Sequence, residues 1–166
     1  MLVFSFLLLI GFFIICEAFF SGSETAIISA NRVKLEQWTH TKDKSAAIIK
    51  KMLQEPERFL STTLVGANLS VVSASSLFTA AVLHYLGSNY EWMTTLILAP
   101  ILLIFGEIIP KIIFRITADK VAPVVSVPLW FFMKIFGPVV AVLSFIARAL
   151  LKPFAKGKET KKEKKK

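Results

Sequence analysis

The stretch Leu96-Ile97-Leu98-Ala99-Pro100-Ile101-Leu102-Leu103-Ile104-Phe105-Gly106-Glu107-Ile108-Ile109-Pro110 decides the fold class of this chain. It is apolar enough to cross a membrane, yet Glu107 stands inside it. A carboxylate in such a segment costs several kcal/mol unless something pairs with it, so Glu107 is a functional-site candidate. Gly106 before it and Pro110 after it loosen the helix at the same point. Two other apolar segments are also interrupted, at Phe19-Phe20-Ser21-Gly22-Ser23-Glu24 and at Val65-Gly66-Ala67-Asn68-Leu69-Ser70. Three interruptions in three spans predict one buried polar site.

Composition agrees with the membrane reading. The chain has 166 residues, is 55% hydrophobic and has a mean hydropathy of +0.65, too apolar for an ordinary soluble domain. Period-two alternation is absent, which excludes a small barrel and leaves helices. The single cysteine, Cys16, lies in an apolar run and permits no intrachain disulfide. The formal charge of +9 resides in loops and tail, without the aromatic-interleaved basic patch that nucleic-acid binding needs. It reads instead as a topology signal.

Three spans are predicted, at residues 1–20, 59–86 and 92–115. The first lacks the basic n-region and small-residue cleavage site of a signal peptide. The segment Asn31–Arg58 carries seven basic against four acidic residues, whereas the loop Gly87–Glu91 carries only an acid. The positive-inside rule then places the N-terminus outside, the first loop in the cytoplasm and the second outside. Lys111, Arg115 and Lys120 return the chain to the cytoplasm. In residues 121–151, Pro123, Pro128 and Gly137-Pro138 divide an apolar run into pieces too short to cross. They are expected to form two short interfacial helices, with Lys134 and Arg148 snorkelling to the headgroups. Residues 152–166 form a charged linker toward cytoplasmic domains. The expected architecture is all-α and integral to the membrane: three broken or kinked crossing helices, short cytoplasmic-side helices and a dimeric assembly.

Each interruption has a local reading and a ligand reading. Ser21 with Glu24 fits a capping box at a helix restart, but a broken helix also frees carbonyls and offers the Ser21 and Ser23 hydroxyls. Gly66, Ser70 and Ala74 form a small-residue ridge for close helix packing, suited to a two-fold interface. Asn68 lies about 160° around the helix from Gly66, and its amide oxygen can ligate a hard cation. Glu107 could pair with Lys111 at i,i+4 or serve as a ligand. Glu17 could bond a neighbouring helix. Asn68 and Glu107 fall at similar depth, and the candidate metal donors are therefore Ser21, Ser23, Gly66 through its carbonyl, Asn68, Ser70 and Glu107. His40 and His84 are remote. An all-oxygen set suits Mg²⁺, Ca²⁺ or Na⁺ rather than Zn²⁺ or Cu.

At these residues the chain resembles the transmembrane domain of the CorC/cyclin-M (CNNM) magnesium transporter family. The resemblance rests on Phe20-Ser21-Gly22-Ser23-Glu24-Thr25-Ala26, Gly66-Ala67-Asn68-Leu69 and Gly106-Glu107-Ile108-Ile109-Pro110-Lys111, and it covers residues 4–150. Ala67 stands where many relatives carry an asparagine, so no ligand role carries to that position. The resemblance implies a homodimer of three-span protomers in the inner membrane. It further implies Mg²⁺ efflux driven by Na⁺ entry, and nucleotide-binding CBS domains elsewhere in the relatives.

Two functions from different classes fit the residues. One is a transporter that passes Mg²⁺ by alternating access. The other is a dimerising membrane anchor or Mg²⁺ sensor that regulates transport without carrying ions. An intramembrane serine protease would need a histidine or lysine beside a serine at depth, and both histidines are misplaced. No enzyme activity is expected.

Overall fold

The computed structural model describes residues 2–40, 44–142 and 145, and leaves the side chains of residue 2 and residues 37–40 undescribed. The described residues are overwhelmingly helical, with no strand among them. Helix α1 spans Leu2–Ser29, α2 Arg32–His40, α3 Lys44–Gln54 and α4 Pro56–Tyr85. After a turn at Gly87 and a 3₁₀ turn at Ser88–Tyr90 come α5 (Glu91–Ile101), a π-helical stretch (Leu102–Ile108), α6 (Ile109–Ile116) and α7 (Ala118–Ile135). Three helices are long and apolar enough to cross a membrane: Val3–Ser29, Pro56–Tyr85 and the composite Ser88–Ile116. The all-α, three-span fold class therefore holds.

Two local expectations fail, each for a physical reason. First, α1 runs unbroken through Ser21-Gly22-Ser23-Glu24 and ends nine residues beyond Phe20. The capping box does not form. The Ser21 carbonyl accepts a hydrogen bond from Thr25 Oγ1 (3.2 Å), and Glu24 Oε2 accepts one from Thr63 Oγ1 on α4 (2.6 Å). With Glu24 held by another helix, the local signal for a restart has no partner.

Second, Pro123 and Pro128 lie inside a single 18-residue helix, α7, where they were expected to break the run. Each proline removes one backbone bond. The stripe Ala122, Val125, Leu129 and Met133 offsets this loss by burying itself against α1 and α3, and Ser126 Oγ donates to the Pro123 carbonyl (2.8 Å). Only at Phe136, beside Gly137-Pro138, does the helix stop; residues 137–142 then resume a helical path. The expected linker, 152–166, and Arg148 lie outside the described residues.

The larger core sits at one end of the bundle. Phe20, Ile27, Ile49, Met52, Phe59, Leu129 and Met133 meet there from α1, α3, α4 and α7. Phe20 and Phe132 rings stack edge to face, their centroids 5.0 Å apart. Lys51 Nζ lies 4.9 Å and Lys134 Nζ 5.9 Å from the centre of the Trp130 ring, so Lys134 rests on an aromatic face. Asn31 caps α2 through its side-chain oxygen, which accepts from the backbone N–H of Val33 (2.9 Å). Asp119, at the start of α7, accepts from the Asn31 backbone N–H (3.0 Å) and from Lys34 Nζ (2.6 Å). The Lys34 hydrogen bond, then that from Asn31, holds the Asp119 carboxyl below the usual range. A smaller cluster, Ile10, Ala74, Leu98 and Leu102, packs the opposite half.

The ridge Gly66, Ser70 and Ala74 is buried within the chain. It faces α1 rather than the outside, so it is not the two-fold interface the sequence suggested.

Candidate functional site

Three close approaches fix the middle of α1 between α4 and the third span. Gly66 on α4 faces the Phe20 ring, where a Cβ would come within 2.6 Å. Gly22 faces the Phe114 ring of α6, where a Cβ would come within 2.8 Å. Gly106 packs directly on the carboxylate of Glu17, leaving no room for a side chain. Glycine is required at each point because another helix occupies the space a Cβ would need.

Within this frame, Ser21 and Ser23 are buried, and neither hydroxyl has a hydrogen-bond partner. Most serines in crossing helices bond the carbonyl one turn earlier. Ser70 and Ser73 do so here, to Gly66 (2.8 Å) and Leu69 (2.7 Å). Ser21 and Ser23 are exceptions, and buried polar atoms left without partners call for an explanation. Gly66 and Ser70 are buried on the α4 face that meets this part of α1. Asn68 is not brought together with them. It is exposed on the far side of α4, its Nδ2 donating to the Leu64 carbonyl (2.9 Å).

Glu107 sits in the π-helical stretch between Pro100 and Pro110. Proline has no N–H to donate, and the bonding shifts by one residue, with the Ile109 N–H reaching the Ile104 carbonyl. The loosening expected from Gly106 and Pro110 is therefore present as a wide turn. Lys111 Nζ donates to Glu107 Oε1 (2.5 Å), and both side chains are nearly half exposed. The i,i+4 ion pair forms.

Two residues missed as candidates belong to the same region. Glu17 is 5% exposed, and its Oε2 has no partner. Thr94 is also buried, with an unpartnered hydroxyl. With Glu107 they line a cavity of about 420 Å³ between α1, α4 and the third span. The signal for Glu17 was available, since it is a carboxylate within the apolar run Phe12–Phe20, as Glu107 is within its own. Among the described residues, no three His, Cys, Asp or Glu side chains cluster in a way that could hold a metal. Any cation held here would rely on hydroxyls, carbonyls and single carboxylates.

Residues 8–165 match the family described as the cyclin M transmembrane N-terminal domain. This chain belongs to that family. Among relatives of this cyclin M domain, the UPF0053 inner membrane protein YfjD of Escherichia coli is 33% identical over 136 residues, covering 82% of this chain and 32% of its own length. A UPF0053 protein of Haemophilus influenzae is 32% identical over 138 residues, 83% of this chain and 33% of its own. UPF0053 protein YhdP of Bacillus subtilis is 28% identical, across 95% of this chain and 38% of its own. The cyclin M domain thus spans about a third of the length of the curated relatives it matches.

Proposed function

We propose that this domain carries Mg²⁺ across an inner membrane, with export coupled to Na⁺ entry. The observation that supports this most strongly is the pair of buried, unpartnered hydroxyls of Ser21 and Ser23. They lie on a segment of α1 packed between α4 and the third span, whose widened turn carries Glu107. Mg²⁺ takes near-octahedral oxygen coordination at ~2.0–2.1 Å and surrenders water reluctantly, so several close oxygens must replace its shell. Ser21, Ser23, the Gly66 carbonyl, Ser70 and Glu107 are the donors nearest to that arrangement. Asn68, about 160° around α4 from Gly66, takes the place of Gly66 and Ser70 when α4 turns about its axis, the kind of movement alternating access requires. One carboxylate with neutral donors gives modest affinity, which suits an ion that must be released.

The N-terminus lies outside and α2, α3 and α7 lie on the cytoplasmic side, because the basic residues collect there. The homodimer implied by the family forms through an outward-facing surface, since the small-residue ridge is already occupied. The whole chain, reconstituted in vesicles enclosing a Mg²⁺-sensitive dye, should move Mg²⁺ faster when a Na⁺ gradient opposes it. Ser23→Ala and Asn68→Ala should each weaken Mg²⁺ binding severalfold with an unchanged elution profile. Binding without flux would favour the anchor or sensor reading. Wild-type affinity in Asn68→Ala would remove the turn of α4.

A further inference from the structure

We propose that the pocket where the third span meets α7 binds the phosphate headgroup of an anionic phospholipid, with Arg115 and Lys120 as its charged contacts. The pocket has a volume of about 600 Å³ and lies between the end of α1 and the turn from α6 to α7. Three basic side chains line it, Lys34, Arg115 and Lys120, against one acid, Asp119. Asp119 is already engaged, accepting from Lys34 Nζ (2.6 Å) and from the Asn31 backbone N–H (3.0 Å). Arg115 and Lys120 have no such partner among the described residues. One concave space therefore keeps two uncompensated positive charges.

Basic residues scattered at a membrane boundary are ordinary topology signals. These two are held on a fixed frame. Thr117 closes the turn between them: its N–H and its hydroxyl both donate to the Ile113 carbonyl (3.0 and 2.7 Å), and its carbonyl accepts from the Lys120 N–H (2.9 Å). The Lys34–Asp119 pair ties α2 to α7 at the same place. The residue types select the ligand. A guanidinium presents a planar fork to phosphate oxygens and an ammonium adds a point charge beside it. The surroundings select a lipid over a free anion. Ile116 lines the pocket at 79% exposure, and Ile112 and Ile109 continue from it along one side of α6. A charged floor with an apolar rim fits a headgroup that carries acyl chains, and the rim offers nothing to free phosphate. The third span also ends at Ile116, so the pocket opens at the level of the headgroups.

The site depends on where the third span ends, and on neither the sidedness nor the ion chemistry of the proposed function. Its occupant still bears on that chemistry. Arg115 stands one turn from Lys111, which holds Glu107. A phosphate on Arg115 therefore anchors the end of the helix that presents this ion pair.

The test is native mass spectrometry of the purified whole chain in detergent, titrated with phosphatidylglycerol or phosphatidylcholine of the same acyl chains. Wild type should retain phosphatidylglycerol at least about fivefold more tightly than phosphatidylcholine. Arg115→Gln and Lys120→Gln should each weaken phosphatidylglycerol binding about fivefold, since each removes one cation and no contact within the fold. Lys50→Gln, at an exposed cation of α3 outside the pocket, should stay within about twofold of wild type. If Arg115→Gln fails to elute as wild type does, Lys120→Gln and the comparison of the two lipids decide. Equal retention of the two lipids, or wild-type binding by Lys120→Gln, overturns the site. A loss in Lys50→Gln as large as in Lys120→Gln also overturns it, because diffuse surface charge then explains the binding. Displacement of the lipid by sodium phosphate at equal concentration would make the pocket a free-anion site and overturn the lipid assignment.

Discussion

Glu17 and Glu107 line one cavity in opposite circumstances. Glu107 is nearly half exposed and holds Lys111, while Glu17 is buried with one oxygen unpartnered. Both stand in apolar runs, and hydropathy alone treats them alike. The difference comes from their helices. The third span is widened at Glu107 and carries a lysine one turn on, so charge and counter-charge travel together. α1 is regular at Glu17, and the neighbouring helix accommodates the carboxylate only by reducing its own residue to glycine. A carboxylate with a built-in partner can exchange that partner for a cation at modest cost. One without a partner is the stronger sign that something external completes it.

The largest expected effect tests the first half of this contrast. Glu107→Gln should weaken Mg²⁺ binding by about tenfold or more, ~1.4 kcal/mol, because it removes the charged donor while keeping its shape. Lys111→Met should leave most of the affinity. Equal losses by calorimetry would make the ion pair, rather than the carboxylate, the functional unit.

A smaller effect is expected at the point where Glu17 is seated. Gly106→Ala sets a methyl against the Glu17 carboxylate and should destabilise the fold by ~1–3 kcal/mol. A thermal melt in detergent would register this as a lower Tm. An unchanged Tm would mean that Glu17 has room to move aside, and its burial would lose its significance.

The smallest effect belongs to a third carboxylate, outside the crossing helices. Asp119 has its pKa lowered by Lys34 and Asn31, so its contribution is present above the ordinary aspartate value and lost as pH falls through the lower folded value. Asp119→Asn should lower Tm slightly at pH 7, and the difference should begin to shrink as pH falls below about 4. A difference that grew on acidification would have the wrong sign for this contact.

Much of this was legible in the residues. The three spans follow from apolar length, and the wide turn at Glu107 from the Gly106 and Pro110 that flank it. The unbroken course of α1 was not legible. Ser21, Gly22, Ser23 and Glu24 carry strong local signals for a restart, and only Thr63 and Phe114, 39 and 92 positions away, override them. The prolines of α7 misled for the same reason: a lost backbone bond is visible locally, but the buried stripe that offsets it is not. Within the candidate site, the burial of Ser21 and Ser23 could be anticipated. The outward direction of Asn68 could not, because the face that α4 presents to α1 is set by Phe20 packing on Gly66.

The lengths of the crossing helices have a further consequence. At 27, 30 and 29 residues and 1.5 Å per residue they reach ~40–45 Å, against a hydrocarbon layer of ~30 Å. Ten ångströms or more of each must tilt within the bilayer or stand in the headgroups. Because the three are pinned together at Glu17–Gly106, Phe20–Gly66 and Gly22–Phe114, they take up this mismatch as one body, and a thinner or thicker bilayer resets the height of all their polar groups at once. Lipid chain length thereby sets the depth of Glu17 and Glu107 together, acting on both without touching either.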